Sequence, residues 1–381
     1  MWHGRAKIGR IDAIFRGISM DLSGCKFTRI EDIKKPPTSS GQAPARPRRV
    51  ARRLDAPGTF EGRTVIDEAD AATWRIPVES RGVTFVNRKK LPVDEARLSD
   101  ALRSEPGASK VRGLAIGFFS HMRSLIVAPC FPEVTSVAIQ NPGMLDISAL
   151  AALTELTKLD VTGIAAPIEV LPQLRLTKLI LGVKSQDQVA TVGRCETLDA
   201  LLLRDLKQPD LQQLSSLNLV ALRLCGGHVQ RLDGIRYERL TSVVLQACKR
   251  LQTVAPLAAE SLTVEQCHHL DLESIASVRG LRRLALRSLK QLNSLEFIER
   301  CESLHSLSIE GLRSGHPEYA ILHRSTSLQA AFLPVPARRL KEISKLLPRL
   351  LLSCGTNAFL NGQQIDKREF EAVFQRVTYG I

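Results

Sequence analysis

The chain has 381 residues, of which 44% are hydrophobic and 4% aromatic, and its formal net charge is +14. This length suffices to bury a large core. Because it contains no run of 18 uncharged apolar residues, we expect no membrane span. The basic excess is concentrated in residues 1–53, which hold 13 Lys and Arg against 4 Asp and Glu. The first residues lack a sustained apolar segment, so they do not predict a secretory signal.

Residues 1–62 are predicted to form a basic arm that continues into a linker rich in Pro and Arg. The linker, residues 35–62, lacks the apolar content to fold alone. Five arginines within eight positions are candidates for phosphate contacts or a nuclear-import patch. No aromatic side chains that would stack on bases are interleaved with them, so a solvated linker is the simpler interpretation. The five candidates are Arg46, Arg48, Arg49, Arg52 and Arg53.

A hydrophobic pattern returns over residues 63–110. The segments RTVID, TWRIPV and VTFVN are typical of short strands. A helix is predicted over residues 92–104, because Pro92 and Asp94 favour a helix start. We interpret this region as a small N-terminal cap that covers the open edge of the domain after it.

Residues 111–333 repeat one six-residue motif, with apolar residues at positions 1, 4 and 6. Eleven copies begin 19 to 24 residues apart. Positions 4 and 6 point to the same face of a strand. One unit cannot bury that face alone, so stacked units must share one core. The clearest copies are LTKLDV (156–161), LTKLIL (176–181), LDALLL (198–203), LVALRL (219–224), LTSVVL (240–245), LRRLAL (281–286) and LHSLSI (304–309).

This motif and its period resemble the leucine-rich repeat family over residues 111–333. Cys248 and Cys267 strengthen the resemblance, since each occupies the ninth motif position, where the family typically has a buried Asn or Cys. The resemblance implies an α/β solenoid of ten or eleven units, with a parallel β-sheet on the concave face and helices or turns on the convex face. Residues 334–381, with helices predicted at RRLKEISKLL and 365–377 and a strand near 350–352, would form a C-terminal cap.

Motifs for catalysis or cofactor binding are missing from the sequence: it has no GxSxG, HExxH, P-loop or dinucleotide fingerprint. Cys267 precedes two histidines, but zinc needs about four converging ligands, and this cysteine should point into the core. We therefore predict no enzymatic activity, no cofactor and no metal. The eight cysteines are dispersed, which predicts reduced thiols in a cytoplasmic protein.

The concave face is the main functional candidate, and motif positions 3, 5 and 7 supply its side chains. Apolar residues surrounded by arginines are typical of protein-binding surfaces. The alternative is an inner sheet of small residues without a partner. The candidate protein-binding residues are Ile180, Leu202, Arg204, Arg223, Val244, Glu265, Arg283 and Arg287.

These observations predict a non-enzymatic module that binds a protein partner through its concave face. The chain resembles bacterial cytoplasmic leucine-rich repeat proteins with degenerate repeats. Some proteins of that kind are immunity proteins that block a toxin, and others are effectors inside a host cell. Both roles are implied by the resemblance alone. The alternative from the residues themselves is nucleic-acid association through the basic arm.

Overall fold

The structure, a computed structural model, describes most of the chain from residue 63 onward. The predicted basic arm and its five arginines lie outside the described residues. No helix in the described part of the chain is long and apolar enough to cross a membrane. The described residues are 63–87, 91–117, 120–140, 144–162, 164–290, 292–312, 317–354, 357–366, 368–370 and 373.

Sixteen of the described strands form one continuous sheet, in which fourteen consecutive strands are parallel and the last two turn back antiparallel. Two further short strands, β5 and β7, pair separately. The strands are β1 Arg63–Asp67, β2 Gly82–Val86, β3 Gly113–Ile116, β4 Ser136–Ile139, β5 Met144–Asp146, β6 Lys158–Val161, β7 Ile164–Ala166, β8 Lys178–Gly182, β9 Ala200–Arg204, β10 Ala221–Cys225, β11 Ser242–Gln246, β12 Ser261–Glu265, β13 Arg283–Arg287, β14 Ser306–Glu310, β15 Ala330–Phe332, β16 Leu351–Cys354, β17 Asn357–Leu360 and β18 Gln363–Ile365.

Each of the eleven motif copies supplies one strand of the main sheet. Equal motif positions are neighbours in register: Leu222 lies between Leu201 and Val243. The position-4 side chains are at most 2% exposed and belong to one core, as predicted. They include Leu159, Leu179, Leu201, Leu222, Val243, Leu262, Leu284 and Leu307.

The other wall of the core consists of short helices and 3-10 turns, as the repeat pattern predicts. These segments bury leucines and isoleucines such as Leu150, Leu214 and Ile275 against the strands. The α-helices are α1 Glu95–Arg103, α2 Gln186–Gly193 and α3 Ala337–Leu346. The 3-10 turns are Ala71–Thr73, Ala108–Lys110, Ala128–Cys130, Ser148–Ala152, Ile168–Gln173, Gln212–Leu214, Leu272–Ser277, Glu296–Arg300 and Tyr319–Arg324.

The N-terminal region continues the parallel sheet, since β1 pairs with β2 and β2 pairs with β3. The strand predicted at TWRIPV is wrong. Asp70 caps a 3-10 turn instead, by accepting a hydrogen bond from the Ala72 amide. Trp74 then turns inward and donates its indole N–H to the Asp67 carbonyl at 3.0 Å.

At the C-terminal end, the predicted helix and strand are present as α3 and β16, and an antiparallel hairpin follows that the sequence analysis missed. Asn361 and Gly362 form its turn with φ of 53° and 77°. Two successive left-handed residues favour a tight hairpin. Ile365 ends β18, so the helix predicted over residues 365–377 begins later, and residues 368–370 and 373 are helical. Most of residues 365–377 lies outside the described part of the chain.

The residue at motif position 8 is left-handed in six successive repeats. Two of these residues are glycines, but four carry side chains at φ between 52° and 57°: Asp205, Ala247, Gln266 and Ser288. Their amides donate to the position-7 carbonyl of the next repeat, as in Ala247 N–H to Glu265 O at 2.8 Å. This ladder of hydrogen bonds turns the chain away from the sheet at the same point in every central repeat.

Candidate functional site: the concave face

The concave face consists of three rows of side chains, from motif positions 3, 5 and 7. Register pairing aligns the rows across the strands, so that Lys158 lies beside Lys178 and Asp160 lies beside Ile180. Ile180 in turn neighbours Leu202. Adjacent strands are about 4.8 Å apart, so these side chains contact their neighbours directly.

An apolar floor lies in the middle of this face, composed of Ile180, Ala200, Leu202 and Ala221. It is separate from the main core, and Cys225 packs against it. Ile180 and Leu202 are each only 4% exposed. Ile180 and Leu202 thus lie on the concave side but are not exposed, because in-register neighbours on adjacent strands bury one another, and their part in binding stays a prediction.

Four cationic side chains surround the apolar floor and form what we call the basic frame: Lys158, Lys178, Arg204 and Arg223. Arg204 is exposed and Arg223 is half-buried. Arg223 donates from Nη2 to the Gln246 Oε1 at 2.8 Å. Burial, and then the charge of Lys158, lower the pKa of Lys178. The frame is thus a partly desolvated concentration of positive charge.

A notch opens in the frame at Gly182, which occupies position 7 of β8 and lies in register beside Arg204. A Cβ added to Gly182 would have no atom within 4 Å. Its φ is outside the left-handed region, so the backbone itself does not require glycine there. The missing side chain leaves open space directly beside an exposed guanidinium.

Asp160 is a buried carboxylate on the same face, only 8% exposed. Its Oδ1 has no hydrogen-bond partner among the described residues. Burial raises its pKa to about 6, although the charge of Arg204 opposes this rise. Such a carboxylate is costly to keep ionised, because desolvation disfavours its charged form.

The remaining predicted site residues lie in the C-terminal half of the face. Val244, Glu265, Arg283 and Arg287 are all half-buried there. Arg287 forms an ion pair with Glu310 at 3.4 Å. The rest of this half presents short side chains such as Ala285 and Ser308 at position 5. In formal charge, Arg283 and Arg287 are balanced by Glu265 and Glu310.

Cys248 and Cys267 are buried thiols behind the sheet, as predicted. Their sulfurs donate to backbone carbonyls, such as Cys267 Sγ to Glu265 O at 3.4 Å. A hydrogen bond with Cys267, together with burial, raises the pKa of Cys248. Among the described residues, no group of three or more His, Cys, Asp and Glu side chains is arranged to hold a metal ion.

Sequence reasoning did not select Lys158, Lys178, Asp160 or Gly182 as site residues. Each occupies position 3, 5 or 7 of its motif, so the positional rule already placed them on the concave face. What the sequence lacked was a measure of burial. The open space at Gly182 and the desolvation of Asp160 depend on neighbouring strands.

One strand per motif copy, parallel pairing in register and a shared core together define a leucine-rich repeat solenoid. No protein-family model and no curated protein matches the sequence.

The chain is similar to many solved structures, including the following three. An internalin, InlF, from Listeria monocytogenes is 14% identical over 73% of this chain and 87% of its own, with a TM-score of 0.40. A leucine-rich repeat protein from Leptospira interrogans is 15% identical over 70% and 93%, with a TM-score of 0.24. The functional domain of InlJ from Listeria monocytogenes, which includes a cysteine ladder, is 12% identical over 68% and 70%, with a TM-score of 0.32.

Proposed function

We propose that the protein is a non-enzymatic interaction module that binds a protein partner on its concave face. The observation that carries the proposal is the local concentration of charge: four cationic side chains surround one apolar floor, whereas strands β11 to β14 have no net charge at the same motif positions. Arginine and apolar side chains supply most of the energy at protein interfaces. Extended concave solenoid surfaces are well suited to such binding.

The size of the face also supports a protein partner. Eleven strands at about 4.8 Å spacing extend roughly 50 Å, and each exposes roughly 15 Å of its length. The product is on the order of 750 Å², which is close to the area that one partner contributes to a standard protein interface. A small ligand would leave most of this surface uncovered.

The resemblance to bacterial cytoplasmic leucine-rich repeat proteins suggests two specific roles for such a module. A bacterial cytoplasmic module of this kind would act either as an immunity protein that blocks a toxin or as an effector inside a host cell. Identification of the bound protein separates these two roles. A toxin encoded in the same cell favours the first, whereas a host protein favours the second.

Nucleic-acid association is the second candidate function, and the +9 charge balance of residues 1–53 favours it. Binding through the arm would depend steeply on salt and would disappear when residues 1–60 are deleted. A protein complex on the concave face would survive that deletion.

The proposal is tested by affinity isolation from the native cell with variants that add negative charge and a matched control. Arg204→Glu and Val244→Glu alter the concave face at an exposed and a half-buried position. Arg250→Glu makes the same charge change as Arg204→Glu at an exposed residue just after the ninth motif position, behind the sheet. Leu202 is unsuitable, because a charge there would be buried.

We expect one stoichiometric protein to be recovered with the parent chain and with Arg250→Glu, and to be lost with both concave variants. Thermal melts would show that all three variants fold like the parent. Equal recovery with all of them would place the binding site elsewhere and reject the proposal.

A further inference from the structure

Building on the proposed function, we infer that the partner contributes an acidic protein segment. Its carboxylates bind the basic frame, one of them through the notch at Gly182, and its apolar side chains face the apolar floor. The segment is expected to alternate Asp or Glu with apolar residues. Its site extends over β6, β8, β9 and β10.

The charge balance of this part of the face favours an anionic ligand. The basic frame supplies four cations, and Asp160 is the one carboxylate at motif positions 3, 5 and 7 of these four strands. At the same positions, strands β11 to β14 carry two arginines and two glutamates and so have no net charge; these residues are Arg283, Arg287, Glu265 and Glu310. Charge complementarity selects partners and orients them, so a basic segment would be repelled here.

Shape also distinguishes this region from the rest of the face. Gly182 leaves open space beside Arg204, whereas Ile180 and Leu202 fill the adjacent row. A side chain of the partner can enter at Gly182 with its carboxylate directed to the guanidinium. Arg favours this contact because its planar fork of donors binds a carboxylate through two hydrogen bonds.

Asp160 makes the affinity for an acidic ligand depend on pH in a way that a basic ligand would not show. The groups near it are Lys158 on its own strand, Ile180 and Lys178 on β8, Ala138 on β4 and Arg204 on β9. An ionised Asp160 opposes a bound carboxylate, so acidic binding should favour its protonated form. Affinity should therefore rise as the pH falls toward 6, while Asp and Glu of the ligand remain ionised.

The test uses a phage library of random 12-residue peptides, selected on the full-length protein. The selected peptides are then titrated against the parent, Gly182→Tyr, Lys178→Glu and Arg250→Glu. A Cβ at Gly182 would meet no atom of the protein within 4 Å, so we expect Gly182→Tyr to fill the notch and keep the fold, and a thermal melt checks this. Arg250→Glu is the control for loss of general positive charge.

We expect the enriched peptides to be acidic and apolar. Gly182→Tyr and Lys178→Glu should each weaken binding at least tenfold, and Arg250→Glu by less than twofold. Parental affinity should be several-fold higher at pH 6 than at pH 8. Asp160→Asn should strengthen binding and remove that pH dependence.

Neutral or basic peptides, a failure to enrich any sequence, or weaker binding by Asp160→Asn would overturn the inference. Equal binding to Gly182→Tyr would do so as well, because acidic peptides would then be bound elsewhere, for example by the arm. If a single-stranded oligonucleotide displaces the peptides from the notch and binds more tightly than they do, the ligand is a phosphate backbone and not an acidic protein segment. If the cellular partner is still lost with Val244→Glu, only this inference fails and the proposed function stands.

Discussion

At the scale of the residue, Asp160 on the concave face has an electrostatic cost of burial. Its carboxylate is 8% exposed, its Oδ1 has no partner among the described residues, and its pKa is raised to about 6. The folded state therefore binds this proton more tightly than the unfolded state, whose pKa is close to 3.8. Stability from this group is lost as the pH rises from about 4 to about 6.

We predict that Asp160→Asn increases the free energy of unfolding at pH 8 and that the gain becomes smaller at lower pH. Asn keeps the shape but removes the buried charge. Between pH 8 and pH 5 the gain should fall by about 1 kcal/mol, because Asp160, with a pKa of about 6, takes up its proton in the folded state over this interval. Urea titrations of both proteins at several pH values measure this difference. A gain that does not change with pH would contradict the pKa assigned to Asp160.

The side chain of Leu202 shows which properties of a single residue the sequence predicts and which it does not. Motif position was sufficient to place Leu202 on the concave face and Leu201 in the core. It was not sufficient to predict that Leu202 is buried. Its burial depends on packing with Ile180, Ala200 and Ala221, which are contributed by three different strands.

At the scale of the element, the repeated turn after each central strand carries backbone strain. A side chain in the left-handed region costs about 1–2 kcal/mol, and glycine avoids most of this cost. Gly226 and Gly311 already use glycine at this position, whereas Ala247 and Gln266 do not. The ladder of amide hydrogen bonds compensates for the strain in these repeats.

We predict that Ala247→Gly raises the free energy of unfolding by about 0.5 kcal/mol, since relief of the left-handed strain exceeds the added chain entropy. Ala276→Gly, in the 3-10 turn Leu272–Ser277, is the control. It should destabilise the protein by about 0.5–1 kcal/mol, because no strain is relieved there. Thermal melts of the two variants provide the comparison, and a loss of stability in Ala247→Gly would count against the strain argument.

The strands of the repeats were predicted correctly, whereas the C-terminal hairpin and the turn at Asp70 were not. The motif fixes strand and register together, so the eleven repeat strands followed from the sequence. The Asn361-Gly362 pair between β17 and β18 is a strong hairpin signal that was present but not used. The strand predicted at TWRIPV failed because the cap formed by Asp70 favours a turn.

At the scale of the whole molecule, each strand pairs with its immediate neighbours, and one core runs through the stack. Stability in such an array is approximately a sum of neighbour interactions, so damage at one end should remain local. The end formed by α3, β16 and the hairpin is a suitable place to test this, because Leu340 of α3 is completely buried.

We predict that Leu340→Ala accelerates hydrogen exchange in β15 to β17 and leaves β8 to β10 unchanged. The local cost should be about 2–5 kcal/mol, as for other buried leucines that are replaced by alanine. Leu222→Ala, in the centre of the stack, is the counterpart and should accelerate exchange in β9 to β11. Mass spectrometry of deuterated peptides measures both variants. Uniform acceleration along the chain in either variant would mean that the solenoid opens as a single unit.

The uneven repeat length, 19 to 24 residues, does not disturb the register of the sheet. The helices and turns on the convex side therefore accommodate insertions and deletions, while the strands of the concave sheet keep a constant spacing. Mutation can lengthen or shorten a unit without moving any residue that faces inward. A short epitope tag inserted beside the exposed Gly280, whose surroundings are open, should accordingly label the protein and leave its inner face intact.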